Sequence, residues 1–386
     1  MIPTKKEWNV TASLPVAFKV KMTDNVLEPT NYSLIEYGQT GRGARRLVIV
    51  DSTVFFGREK AIKSYFDFHN IETKIVPIDM SEDKKNLEHL LYILEIMENF
   101  GILRRSEPLI CIGGGVLLDM CGLAANLYRR GVPYIKVPTT LLAIVDASVG
   151  VKTSINHFCR RNRLGSYYPP VAAYLDRTFL DTLPKEEIVS AMGEIFKMAV
   201  IKNSKLFELL ETDAVELMQQ NFLLDGPAES VISESINDMI VELAPNLWET
   251  DLKRIVDFGH SFSPMLEMKS LEDSTVPNLS HGEAVSIDVV FSSCLAHHRG
   301  LIPKSELERI VDLSFVMQLP TYHPYFTNYL LLWESLIDTT RHRDGKQNLP
   351  IPAVSIGNSI FLNDVKLEDV KETIKLYVQM TGKKQK

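Results

Sequence analysis

The chain has 386 residues, 45% of them hydrophobic, and a formal net charge of -7. That length is ample for about two cored domains, and the acidic balance argues against a general nucleic-acid partner. Its four cysteines, Cys111, Cys121, Cys159 and Cys294, form no CxxC pair, so neither a thiolate metal knot nor a disulfide framework is expected. The N-terminus lacks the apolar core of a signal peptide, and no apolar run approaches the span of a bilayer. The expectation is a soluble, cytoplasmic enzyme with neither a membrane nor a nucleic-acid partner.

In chain order, residues 46–51 read as a β-branched strand, 60–69 as a helix, 73–77 as a strand, 87–100 as a helix and 109–112 as the next strand. Such alternation predicts an α/β domain, a parallel sheet flanked by helices. Asp51 closes its strand at the carboxyl end, where open α/β sheets place ligands. It suits a ribose hydroxyl, and equally a solvated loop aspartate. The strand at 109–112 runs into Gly113, Gly114 and Gly115, and the following residues open a helix. Glycines let a backbone approach a pyrophosphate, and a helix N-terminus supplies N–H donors. The spacing is not G-x-G-x-x-G, and a tight turn alone would also use these residues.

Residues 129–170 are dense in polar groups: Arg129 and Arg130, Lys136, Thr139 and Thr140, Asp146, Lys152, then Arg160, Arg161, Asn162 and Arg163. Cations beside loop hydroxyls can cradle a phosphate, although Arg160 and Arg163 also fit a solvated basic loop. Lys152 differs, being set among Val149, Gly150, Val151 and Ile155. After Pro184 the texture becomes helical, at 185–210, 231–243, 283–298 and 365–380. The chain therefore divides into residues 1–184, an α/β nucleotide-binding domain, and residues 185–386, a mainly helical domain. On the first of those helices Glu194 and Lys197 share a face among Ile195, Phe196, Met198 and Ala199, so a charged pair there needs a metal or phosphate partner. Glu194, His260 and His281 together have the ligand count of a catalytic zinc-type site with an open fourth position. Singly, each also reads as an ordinary buried polar residue.

These segments resemble the sugar phosphate cyclase superfamily, whose best-known member is dehydroquinate synthase. The likeness runs from about residue 51 to residue 364. It rests on Gly113-Gly-Gly-Val-Leu-Leu-Asp119, Val137-Pro-Thr-Thr-Leu-Leu142 with Asp146 and Lys152, Gly193-Glu-Ile-Phe-Lys197, Phe258-Gly-His260 and His281-Gly-Glu-Ala-Val285. By that resemblance Glu194, His260 and His281 bind a divalent zinc or cobalt ion. NAD would be contacted by Asp51, Glu82, Lys85, the glycine triplet, Asp119, Thr139, Thr140, Asp146, Lys152, Arg161 and Thr182. Lys152, Asn162, Lys197 and Arg130 would hold a small sugar phosphate, with Arg130 reaching across a homodimer. Asp146, Asp257, Lys253 and Arg341 complete the implied catalytic set. The implied reaction is redox-neutral: transient oxidation by NAD, phosphate elimination, reduction, ring opening and aldol closure to a carbocycle.

Departures from dehydroquinate synthase bear on the substrate. Pro264 stands where that enzyme has a second histidine four residues after the first, Asp257 replaces its asparagine, Lys253 its arginine, and Arg341 its C-terminal lysine. An aspartate at that end would repel a substrate carboxylate and accept a hydrogen bond from a hydroxyl. The segment from Gly259 to Pro264, Pro245-Asn-Leu-Trp248 and Arg341-His-Arg-Asp-Gly345 resemble the branch acting on sedoheptulose 7-phosphate. Within it Tyr168-Pro-Pro170 and Asp257 resemble the 2-epi-5-epi-valiolone synthase type more than the desmethyl-4-deoxygadusol type. The two prolines are expected to wall the cyclising intermediate. Two readings stand against this one, a metal-dependent polyol dehydrogenase of similar architecture and a homologue without activity.

Overall fold

The structure is a computed structural model that describes residues 7–158 and 160–382. The first half comprises β1 (Lys19–Met22), β2 (Arg45–Asp51), α1 (Ser52–Phe68), β3 (Glu72–Ile78), α2 (Leu87–Phe100), β4 (Leu109–Gly113), α3 (Gly115–Leu127), β5 (Tyr134–Pro138), β6 (Lys152–His157), β7 (Arg160–Tyr167) and β8 (Ala172–Leu175). Six of these strands form one parallel sheet in the order β1-β8-β5-β4-β2-β3. Both faces are covered, as a parallel sheet requires: in β2, Leu47 and Ile49 join the core of α2 and α3, whereas Val48 and Val50 join the core of α1. The chain passes from β2 to β3 on one side and then to β4 on the other. The strand order thus reverses between β2 and β4, and a crevice opens outside their carboxyl ends.

β6 and β7 leave the sheet as a separate antiparallel hairpin, which the polar texture of that segment concealed. The helical half begins at α4 (Lys185–Ile201) directly after Pro184 and continues through α5 (Ser204–Gln219), α6 (Pro227–Leu243), α7 (Ser263–Glu272), α8 (His281–His298), α9 (Lys304–Val316), α10 (Tyr329–His342), β9 (Leu349–Ala353), β10 (Ser355–Leu362) and α11 (Leu367–Gly382). The single helix expected at 185–210 is two, because the Asn203 side chain accepts from the Leu206 amide and starts a new helix. α8 is buried on every side from Ala284 to Ala296 and forms an axis against which α4, α7, α9 and α11 pack. At its first turn it touches α4 at two glycines. A Cβ on Gly282 would lie 1.6 Å from the Ser190 carbonyl oxygen, and one on Gly193 would lie 2.1 Å from the Gly282 carbonyl oxygen. Only bare backbone fits this crossing, and it sets Glu194 against His281. Among the described residues no helix is long and apolar enough to cross a membrane.

Candidate active site

The crevice at the strand ends continues into the helical half as one cleft of about 1200 Å³. Glu194, His260 and His281 meet on its helical wall, their ligand atoms all within 4.8 Å of one another. Glu194 Oε1 lies 3.3 Å from His260 Nε2 and 3.4 Å from His281 Nε2, is buried, and has no hydrogen-bond partner. Bonds of about 2.0–2.1 Å in a tetrahedral arrangement place ligand atoms about 3.3 Å apart, so these three atoms fit one divalent cation. Each imidazole is held by its other nitrogen, His260 Nδ1 at 3.1 Å from the Phe258 carbonyl oxygen and His281 Nδ1 at 3.1 Å from Glu267 Oε2. Both Nε2 atoms are thereby left to a metal.

Two buried carboxylates on neighbouring helices do this positioning, and no local pattern marks either of them. Asp288 on α8 accepts the amides of Ser261, Phe262 and Ser263 at 3.0, 2.7 and 2.9 Å and fixes the loop that carries His260. Glu267 on α7 receives His281 and also pairs with Arg161. Burial alone would raise the Glu194 carboxyl, but Lys197, His260 and His281 outweigh it and hold it well below the usual carboxylate range. Burial and the Glu194 charge raise Asp146, which sits on a π-helical turn, Ala143–Ala147, above the same wall.

The opposite end has the features of a dinucleotide cradle. Gly114 starts α3 with no side-chain cap, so the first-turn amides beside the cleft have no side-chain acceptor. A Cβ on Gly114 would come within 3.2 Å of Thr140 Cγ2, and one on Gly113 within 3.3 Å of Asp51 Cβ. Asp51, Glu82, Lys85, Gly114, Gly115, Asp119, Thr139, Thr140, Arg161 and Thr182 all line the cleft; Gly113 packs behind it. Asp51 accepts the Thr53 amide at 2.9 Å and so also caps α1. Lys85 Nζ donates to Asp119 at 2.7 Å and to Asn162 at 2.6 Å. Glu82 accepts from Asn156 Nδ2 at 2.8 Å and Arg161 Nε at 3.1 Å. These residues fit a nicotinamide dinucleotide.

Between the two ends lie Lys152, Asn162, Lys197 and Asp257, as the sequence suggested, together with Glu249, Arg254 and Tyr167, which it did not single out. Glu249 pairs with Lys152 and, at 2.8 Å, with Arg254, and accepts from the Tyr167 hydroxyl at 3.3 Å. Several expectations need correction. Lys253 is outside the cleft, over the Phe361 ring at 4.9 Å, and its neighbour Arg254 is the cation inside. Arg341 is exposed at the end of α10, whereas buried Arg343 reaches Asp257 at 3.6 Å. Asp257 is therefore no lone anion: Arg254 at 3.2 Å and Arg343 flank it, which removes most of the repulsion expected toward a carboxylate. Arg130 is exposed and outside this chain's cleft. The proline wall also fails. Pro169 and Pro170 do not line the cleft, and Tyr168 turns away to stack on Tyr134 at 5.7 Å.

A family profile described as 3-dehydroquinate synthase N-terminal matches residues 75–190, and its C-terminal counterpart matches residues 191–341. The chain belongs to the 3-dehydroquinate synthase family. Within this family it is 42% identical to a 2-epi-5-epi-valiolone synthase of an Actinomyces species, over 94% of this chain and 96% of that one. A demethyl-4-deoxygadusol synthase of Trichormus variabilis is 34% identical over 92% of this chain and 86% of its own. Among solved structures, ValA, a 2-epi-5-epi-valiolone synthase of Streptomyces hygroscopicus subsp. jinggangensis with NAD+ and Zn2+ bound, superposes with a TM-score of 0.90 at 39% identity, covering 96% of this chain and 99% of its own.

Proposed function

We propose that this member of the 3-dehydroquinate synthase family is a sugar phosphate cyclase of the 2-epi-5-epi-valiolone synthase type, a carbon–oxygen lyase that converts sedoheptulose 7-phosphate into a cyclic C7 ketone and inorganic phosphate. The observation that carries this reading is a single cleft that joins a three-ligand metal wall, a glycine cradle and a cationic patch, without a second histidine beside His260. That position is Pro264, in the first turn of α7. The 42% identity to a valiolone synthase supports the same choice.

When bound, NAD supplies reversible hydride acceptance and a divalent zinc or cobalt ion supplies Lewis-acid polarisation of the reacting oxygen. Glu194, His260 and His281 would hold the ion, and the α3 N-terminus with Asp51, Asp119, Thr139, Thr140 and Thr182 would hold the dinucleotide. Lys152, Arg254 and Asn162 bind the phosphate, for which Lys152 and Arg254 must leave Glu249. Lys197 Nζ, fixed on Glu194, donates to a substrate hydroxyl. Asp146 is raised by its burial and so can hold the proton removed beside the transient ketone. Asp257, balanced between Arg254 and Arg343, accepts from a hydroxyl at the non-phosphate end. Oxidation and reduction cancel, so the cofactor turns over without net consumption. A polyol dehydrogenase has no use for the phosphate-binding set.

The working unit in this proposal is a cytoplasmic homodimer, supported by Arg130, which is exposed and free to serve a neighbouring subunit's cleft. The test is incubation with sedoheptulose 7-phosphate, zinc or cobalt and substoichiometric NAD+. Phosphate should appear in proportion to substrate, NADH should never exceed enzyme, and the product mass should equal substrate less phosphoric acid. NADH formed in step with turnover would replace the proposal with a dehydrogenase. Loss of a further water with near-ultraviolet absorbance would assign the deoxygadusol reaction.

A further inference from the structure

The hairpin of β6 and β7 joins the two ends of the cleft. On its cofactor side, Asn156 and Arg161 hold Glu82, while Asn162 is bound by Lys85 and by Ser154 at 2.9 Å. On its other side, Arg160 pairs with Asp338 of α10 at 2.9 Å, and Arg161 Nη1 pairs with Glu267 of α7. Among the described residues Arg161 alone touches both: its Nε serves Glu82 at the cradle, and its Nη1 serves the carboxylate that orients His281. The 3.3 Å approach of Arg161 Nη1 to His281 Nδ1 is not a second bond, because that nitrogen carries the proton given to Glu267. The unbroken series is Glu82, Arg161, Glu267, His281. Its two carboxylates are 33% and 6% exposed, and Arg161 is 19% exposed, so solvent screens the Glu267 end weakly.

We propose that Arg161, bridging Glu82 and Glu267, is a positioning residue that couples the dinucleotide and metal sites, so that each ligand tightens the other. The inference rests on the cofactor and metal reading above. An ion at Glu194, His260 and His281 needs the His281 ring held at one angle, and the Glu267 side chain that holds it meets Arg161 through its other oxygen. A dinucleotide over the α3 N-terminus needs the hairpin seated on Glu82 and Lys85, which places Arg161. Freezing this long side chain and its hairpin is an ordering cost common to both events. Whichever ligand binds first meets it, and the second binds more tightly. Linkage makes the effect reciprocal and of equal size in both directions.

The experiment measures zinc affinity by chelator competition with and without saturating NAD+, and NAD+ affinity by calorimetry with and without zinc. In the unaltered protein each ligand should improve the other about 10-fold, within the usual range for coupled sites. Arg161→Lys keeps the charge but its single ammonium cannot span both carboxylates, and Glu267→Gln keeps an acceptor for His281 but loses the ion pair. Both variants should still bind each ligand, with the coupling factor reduced to within about twofold of unity. Coupling that persists undiminished in Arg161→Lys would overturn the role of the bridge. Independent binding of zinc and NAD+ in the unaltered protein would overturn the coupling and leave the cofactor reading intact. Failure of either ligand to bind would remove both.

Discussion

Replacing Gly282 by alanine tests how the metal wall is assembled. The new Cβ would start 1.6 Å from the Ser190 carbonyl oxygen, a backbone atom that no rotamer can move away. Carbon and oxygen in contact stay about 3.2 Å apart, so α4 and α8 must separate by about 1.6 Å. His281 is the adjacent residue, and the 3.4 Å between its Nε2 and Glu194 Oε1 would open toward about 5 Å, too wide for one ion with bonds near 2 Å. Overpacking a core ordinarily costs about 1–3 kcal/mol. With backbone against backbone we expect the upper end, about 3 kcal/mol, and a melting temperature lower by about 4 °C. Elemental analysis should find well under one zinc or cobalt per chain, and cyclase activity should fall with it. Gly57→Ala is the control, since Gly57 lies in α1 with nothing within 4 Å of an added Cβ. A Gly282→Ala protein with full metal content that melts within about 2 °C of the parent would refute this reasoning.

Arg254→Gln should lower kcat/KM on the sugar phosphate about 100-fold, as expected for truncating one member of a buried charge pair, whereas Lys253→Gln should stay within about twofold; equal effects in steady-state assays would reverse the assignment. Asp257→Asn leaves Arg343 without its carboxylate partner and Arg254 with Glu249 alone, so the rate ratio for an acidic heptulosonate phosphate over sedoheptulose 7-phosphate should rise at least about 10-fold; an unchanged ratio would exclude Asp257 from substrate choice. Lys136 is fully buried and donates to the Ala147 and Gly150 carbonyl oxygens at 2.7 and 3.0 Å, and burial pushes its ammonium down from 10.5 to about 8. Between about pH 8 and 10.5 the unfolded chain therefore holds more protons at this site than the folded one, and the native state gains stability as pH rises, by about 3 kcal/mol in all. The stability of Lys136→Met relative to the parent should accordingly decline by roughly that amount between pH 7.5 and about pH 10.5 in urea titrations; a difference independent of pH would refute the buried charge.

What could be read in the sequence was what local chemistry determines. Short β-branched runs ending in Asp51 and Gly113 gave the sheet and its ligand edge, because strand period and glycine turns are local properties. The three proposed metal ligands stood out because each interrupts an apolar or glycine-bearing context. Glu267, Asp288 and Glu249 did not, since an acid on an amphipathic segment reads as solvated until its neighbours in space are known. In coil, one residue of register turns a side chain from the cleft to the outside, so Lys253 lies over Phe361 while Arg254 lines the cleft. Arg341 and Arg343, at the end of α10, divide likewise into an exposed and a buried side chain. Tyr168 to Pro170 misled because a rigid tripeptide marks a turn without saying which side of it faces a ligand.

The way α8 gathers its neighbours bears on how this enzyme could change its substrate. His281 is its first residue, Asp288 holds the loop of His260, and Gly282 admits the helix of Glu194. All three ligands are thus referenced to one rod. The groups proposed to face the non-phosphate end of the substrate, Asp257 with Arg343 beside it, come instead from the loop before His260 and the turn after α10. Head-group preference and ion chemistry therefore meet in one loop, where the His260 amide donates to the Asp257 carbonyl oxygen at 3.0 Å. Redesign can change the side chain at Asp257, but the backbone that Asp288 pins to α8 has to stay, because His260 moves with it.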